Sequence, residues 1–513
     1  MTRTQTAQTT AGRWDWPIIV VLTVAVSAAA LLLVRFLAAP RRLWDDAIHD
    51  RNAHLYSGLC LATNVAHGRL GQLFSDLDSF RSWPPLHDGL LVGAALLLGR
   101  GDERWAVLPS LAGWVGTAVF AALLARRAVF SGGTVAGMLA ALFVLTSPAQ
   151  RAFATDVMLE SLGACLTLSC LFYYLRAVQE RSVPSTRALA LALTLLFFHK
   201  YNYWLLVVFG LGVDLLWTHR ATVMDALREH GKNGDAGRWL ARQAKRPLNW
   251  LLLLLTAAVI AITATGGTDL ELFGKRISVH SGANLLTVAY AVFFLRVWLW
   301  YRRVGRARIA QSPRTRALWV WHVCPVAVWF LWPQKLAAFL WVNDPAANTG
   351  AHPQHSLWSG YAYYWGCLAR DYHVGAWSVL VVLALTAVAV VAAEQNRLRP
   401  GATGILWFAL VAAVLTFHHP YHASRFLHSW IPAVWVAAGI GAGYLVHRPL
   451  FALLTGALAV ALLPALIAPA HAPEGGIHQG VPSALAVTDA YLPALADSRH
   501  AAVLSNVPMK FLA

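Results

Sequence analysis

Apolar stretches about as long as a bilayer is thick recur along the whole chain. A helix needs about 20 mostly apolar residues to cross the ~30 Å hydrocarbon layer. In this 513-residue sequence the stretches fall at 17–39, 105–125, 133–149, 161–176, 187–199, 202–217, 248–265, 283–301, 318–341, 373–393, 402–417, 428–446 and 449–467. They predict an all-α integral membrane protein with about 13 transmembrane helices. Apolar residues make up 58% of the chain and charged residues 13%, against about 45–50% and about 25% in soluble proteins. Disorder, a disulfide scaffold and a coiled coil are thereby excluded. No polar stretch is long enough to hold a separate soluble catalytic domain.

Lys and Arg number 41 against 24 Asp and Glu, a formal charge of +17. In a soluble protein that excess points to nucleic acid. In a polytopic protein it reflects cytoplasmic loops that collect Lys and Arg, and no nucleic-acid partner is expected.

Charge also sets sidedness. The segment 85–99 (PLHDGLLVGAALLLG) is short, with His87 and Asp88 near its start, and reads as a juxtamembrane helix dipping into the interface. If it does not cross and residues 1–16 are cytoplasmic, the loops 218–247 and 302–317 lie inside. They carry Arg220, Arg228, Lys245 and Arg246, and Arg302, Arg303, Arg306 and Arg308. Arg126, Arg127, Arg397 and Arg399 fall inside as well. If 85–99 crossed, both long basic loops would face outward. The expected organisation is a cytoplasmic segment 1–16, a polytopic region 17–467 and an extracytoplasmic tail 468–513 that reads as the opening of a small domain. Residues 40–104 form a long first external loop. The run 17–39 exceeds a signal-peptide core and no small-residue cleavage site follows it, so it reads as a retained span. The expected location is the plasma (inner) membrane. Of five Cys, only Cys60 and Cys367 fall in external loops, the one place where a disulfide could form.

Unusual polar groups gather on the external side. Asp45 and Asp46 follow the first stretch; Arg151, Asp156 and Glu160 lie between the third and fourth. The apolar pair 187–199 and 202–217 reads as a hairpin broken at its tip by His199-Lys200-Tyr201-Asn202. A Lys at membrane depth either snorkels to the interface or serves a function. His418, His419, His422 and Arg425 lie near the end of the chain's apolar region. Carboxylates and cations meeting on one membrane face suit a site where an acid or base works on a phosphorylated lipid head group. Simpler roles stand beside each: Asp45 as a cap for a helix 47–62, Glu160 as an exposed interfacial acid, Asp156 as a solvated one. His418 and His422 have the i,i+4 spacing that can share a metal on a helix, but Pro420 interrupts it. No cofactor follows from the residues, and a divalent metal is not indicated.

In their order along the chain these pieces resemble the GT-C class of membrane glycosyltransferases, in the bacterial branch related to protein O-mannosyltransferases and aminoarabinose transferases (glycosyltransferase family 39-like). Asp45-Asp46-Ala47 resembles that branch's Asp-Glu-Ala start of the first external loop. Trp83-Pro84-Pro85-Leu86 resembles its His/Lys-Pro-Pro-Leu signature, and Asp102 to Ser110 its "SE-x-A-x-R-L-P-S" stretch. Arg126-Arg127, Ser147-Pro148 with Met158-Leu159-Glu160, Lys200-Tyr201-Asn202 and Ser424-Arg425-Phe426-Leu427 resemble later motifs over residues 17–446. Two positions depart: Asp46 stands for Glu, and Trp83 for His or Lys. The Trp-Trp-Asp-Tyr-Gly motif of oligosaccharyltransferases is absent.

The resemblance implies a polyprenyl-phosphate sugar as donor and an acceptor hydroxyl on a glycan, lipid or protein, with inversion at the anomeric carbon on the extracytoplasmic face. It implies Asp45 as general base, with Asp46 and Glu160 as further catalytic candidates. Lys200, Arg425, His422 and Tyr201 are the candidates for binding phosphate or sugar. Two rivals predict different patterns. A transporter or flippase of lipid-linked sugars predicts charges at midplane and repeated halves. A non-catalytic envelope-assembly scaffold tolerates loss of Asp45.

Overall fold

Uncharged runs of Leu, Val and Ala can keep backbone N–H and C=O groups away from lipid only by pairing them within the run, so each folds as a helix. The computed structural model describes residues 15–38, 49–72, 75, 83–232, 241, 243–265, 268–272, 275–279, 283–342, 357–419 and 422–468. In chain order the helices are α1 (Trp16–Ala38), α2 (His49–Ala66), α3 (Leu86–Leu98), α4 (Leu108–Ala128), α5 (Gly133–Thr146), α6 (Pro148–Ala154), α7 (Glu160–Glu180), α8 (Val183–His199), α9 (Tyr201–Thr218) and α10 (Arg220–Lys232). They continue as α11 (Pro247–Thr265), α12 (Ala283–Trp300), α13 (Arg306–Gln311), α14 (Pro313–Trp329), α15 (Pro333–Val342), α16 (Leu357–Cys367), α17 (Ala376–Glu394), α18 (Thr403–Phe417), α19 (Ile431–Leu445) and α20 (Pro449–Leu462). One antiparallel hairpin interrupts them. Its strands β1 (Thr268–Leu272) and β2 (Lys275–Val279) pair Thr268 with Val279 and Leu272 with Lys275.

Each predicted apolar stretch falls on a helix or a bent helix pair, but crossing is a stricter test. Among the described residues five helices are long and apolar enough to cross a membrane, and up to seven if each of two bent pairs counts as one span. The expected count of about 13 is more than these lengths support. Helices α18 and α19 have 15 residues each, about 22 Å at 1.5 Å per residue, short of the ~30 Å hydrocarbon layer. One bend is written in the sequence. Pro148 lacks an N–H and pushes Ser147 into an extended conformation (φ −66°, ψ 122°). The axis turns by 66° between α5 and α6, and the Ser147 hydroxyl caps α6 by accepting from the Gln150 N–H.

Where the sequence suggests one polytopic region, the structure has two compact units, 1–214 with 339–513, and 215–338. In the second, α11 pairs with α12, the Arg296 guanidinium donates to Asn249 Oδ1 at 3.0 Å, and Trp300 stacks on Trp319. The first holds the main core, with Trp114, Phe197, Phe408 and Trp435 fully buried. Helices in lipid gain little from the hydrophobic effect between themselves and approach closely through small residues. Gly439 of α19 accordingly lies against Ala136 and Ala140 of α5. Outward, Leu450, Leu453, Leu454 and Val460 of α20 are more than half exposed, as a lipid-facing surface requires. Cys60 and Cys367 are not joined to each other, so the disulfide considered from the sequence is not formed.

Within the first unit the polar pairs gather at two opposite ends. At one end Arg126 pairs with Asp15, Arg127 with Glu180 at 2.6 Å, and Asp214 accepts from Tyr174 and Thr403 at 2.5 and 2.6 Å. The N–H of Arg399 donates to Ala128 O there at 2.9 Å. The other end holds the starts of α4, α7, α9, α17 and α19. Arg126, Arg127, Arg397 and Arg399 thus share one end, while Glu160, Lys200 and Arg425 share the other.

Gly132, before α5, has φ +68°, and a Cβ there would lie 2.1 Å from Gly443 O. Gly132→Ala should destabilise the protein by more than about 2 kcal/mol, combining a left-handed residue with a backbone clash. Gly68→Ala has a similar φ of +65° but nothing within 4 Å, so it should lose only about 1 kcal/mol. Thermal unfolding in detergent compares the two.

Candidate functional site

The site begins where α8 gives way to α9. Lys200 is extended (φ −158°, ψ 120°), which breaks the helix and reverses the chain. Its Nζ meets Glu160 Oε1 at 3.2 Å at the first turn of α7. The Tyr203 hydroxyl completes the triangle, 3.3 Å from Lys200 Nζ and 3.4 Å from Glu160 Oε1. Glu160 is 1% exposed and Lys200 7%, so Glu160 is not an exposed interfacial acid and Lys200 does not snorkel. The ammonium also lies 5.1 Å from the Trp83 ring and 4.5 Å from the Tyr203 ring, where the aromatic faces offset part of its lost hydration. Gly163, one turn along α7, gives the Tyr203 ring room: a Cβ would come within 2.3 Å of it. Arg425, in the single helical turn Ser424–Leu427, lies within electrostatic range of Glu160 and Tyr203.

His428 completes the cluster and was missed in the sequence. It is fully buried, within electrostatic range of Glu160 and Lys200. Phe153 and Tyr372 pack edge-on against its ring at 4.8 and 5.9 Å. The Tyr372 hydroxyl, kept protonated by burial that pushes its pKa up, donates to Ser424 O at 3.0 Å. The Gln150 amide donates to His428 O at 3.3 Å. Among the described residues, neither ring nitrogen of His428 has a hydrogen-bond partner, nor has Glu160 Oε2. The available signal was an ionisable residue at the lip of an apolar run, overshadowed by the denser histidines at 418, 419 and 422.

A second buried layer ties helices α2 and α3 to this cluster. Arg51 of α2 grips Asp156 through two bonds of 2.6 Å, so Asp156 is a buried structural partner and not a solvated acid. Asp88 of α3 pairs with His54 at 2.9 Å and His87 at 3.2 Å. The His87 ring lies 5.7 Å from that of His199, which meets Leu159 O, the residue before Glu160, at 2.7 Å. Helix α3 is therefore packed against the bundle through His87 and Asp88. Burial would raise the Asp88 carboxyl, but the His54 and His87 imidazoles outweigh it and hold it far below the usual carboxylate range.

The remaining candidates are placed differently. Asp45 and Asp46 lie outside the described residues. His422 stacks on Tyr363 at 5.6 Å and meets Tyr364 edge-on. Tyr201 is buried, its ring packed against those of Phe197 and Phe339, each at 5.2 Å. His418 Nδ1 meets Val414 O at 2.8 Å. Among the described residues no group of three or more His, Cys, Asp or Glu is arranged to hold a metal ion.

No protein-family model and no curated protein matches the sequence. Solved structures do. ArnT from Cupriavidus metallidurans is similar in its apo state (TM-score 0.45) and bound to undecaprenyl phosphate (TM-score 0.47), both at 14% identity over 86% of this chain and 63% of that one. The Archaeoglobus fulgidus oligosaccharyltransferase in complex with Zn and sulfate is similar at TM-score 0.48 and 11% identity, over 94% of this chain and 56% of that one. This chain spans less than two thirds of the length of each.

Two expectations follow. Lys200→Met or Glu160→Gln alone leaves a buried charge unpaired and should destabilise by about 3 kcal/mol, while the double variant recovers most of the loss; a double-mutant cycle of thermal unfolding measures this. Asp88 has a depressed folded pKa, so its contribution is present above the unfolded carboxylate value near ~4 and is lost as pH falls through the folded value. The gap in melting temperature between wild type and Asp88→Asn should close progressively as pH falls below about 4.

Proposed function

We propose that the chain is a membrane glycosyltransferase of GT-C type that moves a monosaccharide from a polyprenyl-phosphate sugar to an acceptor hydroxyl. One observation carries this reading: two cations, Lys200 and Arg425, stand around a single buried carboxylate, Glu160, at one end of an apolar bundle. The three groups carry one net positive charge, which suits an anionic lipid head group. Arg is suited to bidentate phosphate contacts and Lys to a point charge. The motif resemblance supplies the reaction class.

In this reading the acceptor oxygen attacks the anomeric carbon, and the bond from that carbon to the phosphate oxygen breaks with its electron pair. Polyprenyl phosphate leaves and the configuration inverts. Asp45 takes the hydroxyl proton, a step that contributes about 10²–10⁴-fold. Arg425 and Lys200 offset the charge gathering on the leaving phosphate. Glu160, held through Oε1 by Lys200 and Tyr203, orients a sugar or acceptor group. Asp46 stands beside Asp45, and His422 lies in the segment that leads to Arg425. The site faces the extracytoplasmic side of the plasma membrane, and the end rich in Arg126, Arg127, Arg397 and Arg399 faces the cytoplasm. Charges at the end of the bundle and not at midplane favour a transferase over a flippase.

The test uses membranes containing the protein and radiolabelled polyprenyl-phosphate sugars. Wild type should release label from the lipid, and Asp45→Asn should lower the rate at least about a hundredfold. Equal release in both would remove Asp45 from the role of base. No release with any donor, in membranes that hold the native acceptor, would overturn the transferase reading.

A further inference from the structure

We propose that Glu160 Oε2 and the His428 imidazole form a subsite for a hydroxyl group and not for a phosphate, a proposal that rests on the transferase reading above. Both groups are essentially sealed from solvent, 1% and 0% exposed. Glu160 Oε1 is engaged by Lys200 at 3.2 Å and Tyr203 at 3.4 Å, whereas Oε2 has no partner among the described residues. Both His428 nitrogens are likewise unpartnered among them. Buried polar atoms without partners are rare in folded proteins and call for an explanation.

The ring cannot turn away to find partners elsewhere. Phe153 and Tyr372 bracket it at 4.8 and 5.9 Å, and Gln150 holds its backbone carbonyl at 3.3 Å. What the site lacks is therefore a ligand group that donates to a carboxylate oxygen and accepts from an imidazole N–H. A hydroxyl has one donor and two acceptor lone pairs and does both. An ionised phosphate offers acceptors only and would be repelled by Glu160 Oε2. The phosphate then lies on the side of Arg425 and Lys200, and Lys200 also holds Glu160 through Oε1. The hydroxyl belongs either to the donor sugar or to the acceptor.

Binding to the purified full-length protein in nanodiscs separates these cases. The probes are a panel of radiolabelled polyprenyl-phosphate monosaccharides and bare polyprenyl phosphate. Wild type should bind both kinds. His428→Phe should weaken the best sugar lipid about 10–100-fold and leave bare polyprenyl phosphate unchanged, which assigns the hydroxyl to the donor sugar. Arg425→Gln should weaken both. If His428→Phe binds both lipids like wild type but transfers label to membrane acceptors about 10–100-fold more slowly, the hydroxyl belongs to the acceptor. Removing unpartnered polar atoms should not lower the melting temperature. Should His428→Phe fail to fold, His428→Asn keeps a donor and an acceptor and should retain at least about a tenth of wild-type affinity. Unchanged binding and unchanged transfer in His428→Phe would overturn the subsite, and so would equal weakening of both lipids. A wild type that binds neither lipid would instead bring down the transferase reading, and the subsite with it.

Discussion

A carboxylate and an ammonium buried against each other at the end of an apolar bundle set the terms for what surrounds them. Neither Glu160 nor Lys200 can be buried alone, because desolvating a single charge costs several kcal/mol after relaxation. Each therefore fixes the other's helix. Glu160 starts α7 and Lys200 links α8 to α9, so their pairing at 3.2 Å pins the tip of the α8–α9 hairpin to the mouth of α7. The neighbours answer the same demand. Tyr203 supplies a hydroxyl to both partners, and Trp83 and Tyr203 present ring faces to the ammonium. Trp83, which departs from the His or Lys of the resembling motif, is thereby explained: another cation there would crowd Lys200, and an aromatic face attracts it.

Hydropathy made the helices legible because backbone satisfaction in lipid leaves an apolar run no other form. The broken hairpin at Lys200 was legible for a related reason, since a lone cation between apolar runs has to be accommodated. Length was less legible. An apolar run of 15 residues such as α18 scores as a span, yet much of it is enclosed by other helices and need not cross alone. The second layer could not be read at all. Asp88 met His54, and Asp156 met Arg51, across separations that no local pattern encodes. Asp156 looked solvated because loops usually are. His428 escaped because its neighbours in the sequence are apolar, while its functional surroundings come from α6, α7 and the turn after α16.

The two layers are mechanically connected. Helix α2 follows the acid pair Asp45-Asp46, and its Arg51 holds Asp156, four residues before Glu160. Its His54 holds Asp88, and His87 next to Asp88 lies against His199, the residue before Lys200. Helices α2 and α3 are thus fastened at two points to the chain on either side of the central ion pair.

That end differs physically from the rest of the first unit. Between the two polar ends, α4, α5, α7 and α19 meet through Ala and Gly at backbone distance, as where Gly439 rests on Ala136 and where Gly113 of α4 faces the backbone of Ser161 and Leu162. A Cβ on Gly113 would lie 2.6 Å from Leu162 Cα, so these helices cannot slide past each other without separating. Close-packed interfaces of this kind shift between discrete arrangements and do not deform continuously. A carrier needs its binding groups between two gates that open in turn. Glu160, Lys200 and Arg425 sit beyond the tightest packing, at one of the two polar ends. A rigid floor beneath that end suits the transferase proposed above, because catalytic groups must already be in place when charge develops.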